Sequence, residues 1–305
     1  MNCYIAILRP FLPEERKSEK AHKCELNSIK NGICGMGWNP DDSFWKAGKN
    51  IINDMSISYD TLNYGKGWKT AFNIYKEMEA GSYILTRTID DICYVGKIVG
   101  TAYHEKGKYN FESYDNYSWI VDVDWKKIGN FMNIPNGLRG LMSGRINTVK
   151  RVTDDVHKAL LEALYKGMEN KIVLKEDNFC TALAPNDLED LVALYISREN
   201  SSYMIVPSSS KVTEPKYEFK FIDMNNCNKP ITCQVKNNKP VIASQYESDE
   251  FYKIYLFSGI EDYGDIDEIA NNIIIIKRSE LFILLKEYYN NNEFIRKQLG
   301  DIFAI

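Results

Sequence analysis

The run 272-NIIIIKR-278 is the most restrictive feature of this 305-residue chain. Four consecutive isoleucines put apolar side chains on both faces of a strand, because successive residues of an extended chain point to opposite sides. Such a strand belongs in the interior of a sheet covered on both faces. The helix read after it, 279-SELFILLKEYYNN-291, supplies one cover. A second helix, 185-PNDLEDLVALYISREN-200, has Pro185 near its start and aligns Leu188, Leu191, Val192 and Tyr195 on one face. Between the two helices lie four further strand-like segments, 203-YMIVP-207, 216-KYEFKFID-223, 230-PITCQVK-236 and 252-YKIYLFS-258. A helix, a β-meander, then a strand and a helix make an α/β domain with a central mixed sheet.

The first 150 residues have another rhythm. Short strand-like runs dominate, at 3-CYIAILR-9, 32-GICGMGW-38, 81-GSYILTRT-88, 92-ICYVGKIVG-100 and 118-SWIVDVDW-125. The link Ile89-Asp90-Asp91 between two of them reads as a hairpin. One amphipathic helix, 66-KGWKTAFNIYKEMEA-80, interrupts the series and is expected to end at Gly81. Short strands with glycine-rich turns predict a small, curved, barrel-like domain. The segment 153-TDDVHKALLEALYKGMEN-170, with Thr153 as a candidate N-cap, reads as a linker helix. The expected organisation is therefore α+β with two domains: a β-rich module at 1–150, a linker at 151–170 and an α/β domain at 171–305.

Charge separates the two parts as well. Residues 1–170 carry 23 Lys and Arg against 21 Asp and Glu, whereas the remainder is acidic, and the whole chain is at -4. This argues against a protein that coats nucleic acid and leaves room for a local basic groove in the first part. Seven cysteines without a CxxC pair speak against a zinc ribbon or a full disulfide framework. The N-terminal apolar run is too short for a signal peptide and no stretch of 18 apolar residues exists, so a soluble cytoplasmic protein without membrane contact is expected.

The chemistry is sought in the second part. In 216-KYEFKFID-223, Tyr217, Phe219 and Phe221 alternate with Glu218 and Lys220, and in 230-PITCQVK-236 Gln234 and Lys236 share a face. If these strands pair, Glu218 and Gln234 come within reach of one ion. Oxygen donors with several waters suit Mg²⁺. Lys236, one pleat on, would orient or deprotonate a water and stabilise charge on a phosphate. The loop serines Ser208, Ser209 and Ser210 and the acidic turn with Asp262, Asp265 and Asp267 read as polar surface, and Gln245, Tyr246 and Tyr255 as candidate cleft walls. The histidines His22, His104 and His157 show no useful partner spacing.

This arrangement resembles the PD-(D/E)xK nuclease superfamily, in its QxK variant seen in Mrr-like restriction enzymes, over roughly residues 171–300. In that family a helix bearing an acidic residue precedes an acidic strand residue, then the (E/Q)xK strand, then further core strands and a helix. The resemblance implies Glu189 as the helix acid, Glu218 in the place usually held by aspartate, and Gln234 and Lys236 as the QxK pair. Asp223 and Glu214 are alternatives for the strand acid. It further implies an Mg²⁺ (or Mn²⁺) dependent endonuclease cleaving DNA, as in modification-dependent restriction or anti-phage defence, acting as a homodimer or larger homo-oligomer. The competing expectations are a non-catalytic nucleic-acid-binding or docking protein on a degenerate nuclease fold, and an RNA-cleaving effector.

In the first part, 81-GSYILTRTIDDICYVGKIVG-100 is similar to the hairpin of PUA-like and EVE-type β-barrel modules, within about 20–100. That likeness implies nucleic-acid recognition, with modified bases among the candidate ligands. Trp38, Trp45, Trp119 and Trp125 are then candidate stacking surfaces, and Arg87, Lys97 and Arg145 candidate phosphate contacts. The stretch 135-PNGLRGLMSGRINTVKRV-152, rich in basic residues and without an acidic one, reads either as a flexible loop tracking a phosphate backbone through Arg139 and Arg145 or as a surface turn.

Overall fold

The computed structural model describes residues 1–9, 17–36, 67–103, 119–143, 148–167, 171–207, 216–266 and 269–305. Within these the chain is mixed α/β and divides into two compact units, Met1–Ile134 with Leu141–Lys171, and Pro135–Gly140 with Ile172–Ile305. Trp38, Trp45, His104, Arg145, Ser208, Ser209, Ser210, Glu214 and Asp267 lie outside the described residues.

The first unit contains β1 (Cys3–Ala6), α1 (Glu19–Lys30), β2 (Ile33–Met36), α2 (Gly67–Lys76), β3 (Tyr83–Arg87), β4 (Ile92–Ile98) and β5 (Trp119–Asn130). The helix α3 (Asn136–Ser143) falls across the division, and β6 (Val149–Val152) and α4 (Asp155–Lys166) complete the unit. Its sheet has the order β2-β5-β4-β3-β1-β6. Only β1 and β3 pair in parallel, with Tyr4 against Ile84, while the other described pairs are antiparallel. The described sheet is open, with β2 and β6 as its edges, so the curvature expected of a barrel stops short of closure. The hairpin through Asp90 and Asp91 forms as expected, with Arg87 opposite Cys93 and Asp91 in the left-handed region at φ 60°.

Several readings of this part differ from the structure. Helix α1 was not anticipated, because its buried face is Ala21, Cys24, Glu25 and Ser28, which offers no apolar periodicity. The stretch read as a flexible basic loop is instead helix α3 followed, after 144–147, by strand β6 on the outer side of β1. Helix α4, read as a linker, packs on β3 and β4. Asp154, not Thr153, caps it by accepting from the N–H groups of Val156 and His157, and Gly167 closes it at φ 91°.

The second unit contains β7 (Ile172–Val173), α5 (Phe179–Ala182), α6 (Pro185–Glu199), β8 (Tyr203–Ile205), β9 (Phe219–Asp223), β10 (Asn226–Lys236), β11 (Lys253–Ser258), β12 (Ile273–Ile275), α7 (Arg278–Asn291), α8 (Glu293–Leu299) and β13 (Phe303–Ala304). The main sheet runs β12-β11-β10-β9-β8. β10, β11 and β12 are parallel, and β9 is antiparallel to both β10 and β8. Among the described strands β12 therefore forms an edge rather than the interior place inferred from the four isoleucines of 273–276. Its burial is accordingly uneven, with Ile276 fully enclosed and Ile274 and Ile275 half-buried. The fully buried interior stretches are 231–235 of β10 and 254–258 of β11.

All seven cysteines are free thiols, and only Cys227, at the start of β10, is exposed. Among the described residues no helix is long and apolar enough to cross a membrane. Gly259, just past β11, is packed so closely that a Cβ there would lie 2.3 Å from the carbonyl oxygen of Asn237 and 3.1 Å from Cys180. Gly259→Ala is thus expected to push the ends of β10 and β11 apart, destabilising the fold by about 1–3 kcal/mol. A denaturant titration against the parent protein measures this.

Candidate functional site

The site is set by two ladders that meet on β10. On one side Cys233 pairs with Phe219 of antiparallel β9, and Thr232 with Lys220. The N–H of Glu218 donates to the Cys233 carbonyl at 3.0 Å, so extending the ladder one step places Glu218 opposite Gln234. On the other side Gln234 pairs with Leu256 and Lys236 with Ser258 of parallel β11. The alternation expected of β9 is present, with Tyr217, Phe219 and Phe221 buried and Glu218 and Lys220 only partly so.

Lys236 and Glu218 meet. The Lys236 Nζ lies 3.1 Å from Glu218 Oε1, and both side chains stay partly open to solvent, at 36% and 24% exposure. Glu189, in the first turns of α6, belongs to the same electrostatic cluster. Its carboxyl pKa is pushed up to about 7, first by burial and then by the negative charge of Glu218, with Lys236 opposing the rise. One ammonium thus faces two carboxylates, and the raised pKa of Glu189 reflects the cost of a second negative charge there.

Gln234 is the least accessible of the four, at 3% exposure. Its Oε1 accepts the Val235 N–H at 3.2 Å, and its side chain is hydrogen-bonded to Tyr246. Tyr246 ends the 3₁₀ turn Ala243–Tyr246 and packs against Tyr217 with ring centroids 5.9 Å apart. Next to these rings Lys216 Nζ pairs with Asp249 at 2.6 Å, and the Tyr217 hydroxyl donates to the same carboxylate. The Lys216–Asp249 pair was not anticipated. Lys216 lies three residues before β9, but Asp249 sits in a polar stretch without periodicity, and only the folded chain joins the two.

Asp223 takes no part. Its carboxylate accepts from Ser202 Oγ at 2.7 Å and from the Asn225 N–H at 3.0 Å, contacts that hold its pKa below the usual range, Ser202 foremost. Five strand positions separate it from Glu218, about 16 Å at ~3.3 Å per residue. Of the two described candidates for the strand acid, Glu218, one residue before β9, is the one beside Lys236. Asp262 accepts from the Gly264 N–H at 3.2 Å, consistent with a local acidic turn.

In the first unit the described stacking candidates are Trp119, a core residue, and Trp125, half-buried against that core. Trp119 is 5% exposed and meets Phe72 edge-to-face at 5.4 Å, while Trp125 donates from Nε1 to the Ile33 carbonyl and packs over Gly96. Arg87 is held by Asp91, and Lys97 stands exposed on β4. Arg139 is half-buried in α3, which removes it from an exposed basic loop. His22 does have partners, with Nδ1 3.3 Å from Glu25 and Nε2 2.9 Å from Asp90. His157 lies 3.3 Å from Asp154, and burial pushes its pKa down.

The donors around Lys236 are hard oxygens of the kind that Mg²⁺ or Mn²⁺ accepts. They are few, however, and among the described residues no group of three or more His, Cys, Asp and Glu is placed to hold a metal. An ion here would depend on Glu218, Glu189, backbone or amide oxygen, and water. Its fit rests on the like-charge pair, since a cation between Glu189 and Glu218 would relieve the repulsion that raises the Glu189 pKa. In comparisons with known proteins, no family model matches the chain and no curated protein matches it significantly.

The raised Glu189 pKa has a defined consequence for stability. The folded state holds this proton more tightly than the unfolded one, so the contribution is complete below the ordinary value of 4.5 and is lost as pH rises through about 7. Glu189→Gln, which cannot ionise, is expected to melt a few degrees above the parent at about pH 8, the gap closing toward acid pH. Equal melting differences across that range would show that Glu189 is not held in a charge-averse environment.

Proposed function

We propose that the second unit is a metal-dependent nuclease that hydrolyses phosphodiester bonds in DNA. The observation that carries the reading is the 3.1 Å contact of Lys236 with Glu218, with Glu189 electrostatically coupled to both. Helix acid, strand acid and lysine follow one another in the order of the PD-(D/E)xK pattern, and the strands bearing the last two are neighbours. Mg²⁺ bound at the two carboxylates would supply Lewis-acid polarisation of a phosphate oxygen. Lys236 then has two tasks. Its ammonium, released from Glu218, orients a water by hydrogen bonding and offsets negative charge developing on the phosphate. Glu189, whose carboxyl pKa is pushed up to about 7 in the metal-free site, would release its proton on joining the cation. Gln234 steadies the base of the site through Tyr246 and contributes its oxygen only if that atom leaves the Val235 N–H.

On this reading the first unit recognises the nucleic acid, plain or modified, and two or more copies act together to cut both strands. A second reading is favoured by one observation. The Gln234 oxygen is engaged and buried, and among the described residues only Glu218 and Glu189 are coupled to Lys236, which suits a binding protein on a nuclease-like scaffold.

Plasmid DNA and a structured RNA, each incubated with Mg²⁺ or Mn²⁺, separate the two readings. Cleavage of DNA that falls by about 10²–10⁴-fold in Lys236→Ala, with the melting transition retained, is the expected result. Asp223→Asn should cut at the parental rate. Absence of cleavage of either substrate under both metals would leave the binding protein as the surviving reading. Cleavage of the RNA alone would move the activity to an RNA-cleaving effector.

A further inference from the structure

The first unit contains a second concave site that the nuclease reading does not use. A pocket of about 530 Å³ opens at the end of β1 beside the β3–β4 hairpin turn, with Arg9, Lys17, Arg87, Ile7, Ile89 and Met142 among its walls. This volume falls in the ~300–1,000 Å³ range of small-molecule sites. The apolar side chains are half-buried and the three cations come from separate stretches of chain.

The two guanidinium groups are held in place before any ligand arrives. Arg87 donates from Nε and Nη2 to Asp91 Oδ1 at 2.9 and 2.6 Å, and its guanidinium carbon lies 3.8 Å from the centroid of the Phe131 ring. Asp91 holds it from a left-handed backbone conformation, φ 60°, uncommon for a residue with a side chain. Arg9 Nε lies 3.2 Å from Glu25, a carboxylate only 1% exposed. Glu25 Oε2 also accepts the Ile89 N–H at 2.8 Å, so one buried acid fixes both Arg9 and the turn that forms the rim. Lys17 is exposed and is in no ion pair with a described residue. Three cations thus line the pocket against Asp91 at its wall and Glu25 behind it. A clamped, planar guanidinium presents its remaining edge in a fixed direction, which is what bidentate phosphate recognition requires.

We infer that this pocket binds a nucleoside monophosphate, with the phosphate on Arg87, Arg9 and Lys17 and the base against the isoleucine and methionine walls. A mononucleotide is favoured over a nucleic-acid strand because the cations converge on one pocket and do not form a track. The inference is independent of the nuclease reading, and the test keeps the two apart.

Calorimetric titration of the full-length protein with AMP, CMP, GMP and UMP, with adenosine and inorganic phosphate as partial probes, decides it. At least one monophosphate should bind saturably. It should be displaced by phosphate and should bind at least about tenfold more tightly than its nucleoside. Lys17→Ala and Arg87→Ala should each weaken it by about tenfold, whereas Lys76→Ala, an exposed lysine of the same unit, and Lys236→Ala should not. Lys17 is exposed, so its variant keeps the test valid should Arg87→Ala unfold. The inference is overturned by no saturable monophosphate binding up to about 10 mM, by equal affinity for adenosine, or by an equal loss in Lys76→Ala. It is also overturned if a single-stranded oligonucleotide binds through these residues and no mononucleotide does.

Discussion

The placement of β10 between an antiparallel and a parallel neighbour governs the second unit. Its backbone is hydrogen-bonded on both sides, to β9 and to β11, and its central residues are buried. A one-residue slip against β9 would turn Glu218 away from Lys236 and expose Phe219 and Phe221, a loss of about 1.5–3 kcal/mol for each phenylalanine. The aromatic side of β9 therefore fixes the register that brings the charged side together. Packing and chemistry are two faces of one alternation.

Electrostatics within the cluster follow from that register. Lys236 cannot neutralise Glu218 and Glu189 at once, and partial burial makes the second negative charge costly. The result is a carboxyl group whose protonation changes near neutral pH, beside a lysine with solvent access. Strong perturbation of this kind accompanies sites that exchange protons or cations more often than sites that only hold a fold together. The Arg9–Glu25 pair of the first unit is a different solution, in which one buried acid is matched by a guanidinium, an imidazole and a backbone N–H.

Much of the second unit was legible from period alone. α6 announced itself through Pro185 and the spacing of its leucines, and β9 through strict alternation of aromatic and charged residues. The pairing of Glu218 with Lys236 followed from alternation once the two strands were taken as neighbours. What escaped had a common cause, that local pattern carries no information on distant partners. Four isoleucines looked like an interior strand, yet β12 lies at the described edge of its sheet. α1 was hidden because Glu25, Ser28 and Cys24 fill its buried face. Gln234 looked like an accessible ligand and is instead tied to Val235 and Tyr246. Trp119 and Trp125 looked like stacking platforms, yet Trp119 lies in the core of its unit and Trp125, half-buried, packs against it.

The distribution of thiols has a practical consequence. Burial pushes the pKa of Cys3 and Cys93 up to about 11 and that of Cys34 and Cys180 to about 12, so these thiols resist alkylation in the native state. Cys227 alone stands in solvent, at the far end of the strand that ends in Lys236, at most about 30 Å away at ~3.3 Å per residue. The wild-type chain thus carries a natural attachment point for a single fluorophore, far enough from the charged cluster to report on distances without touching it.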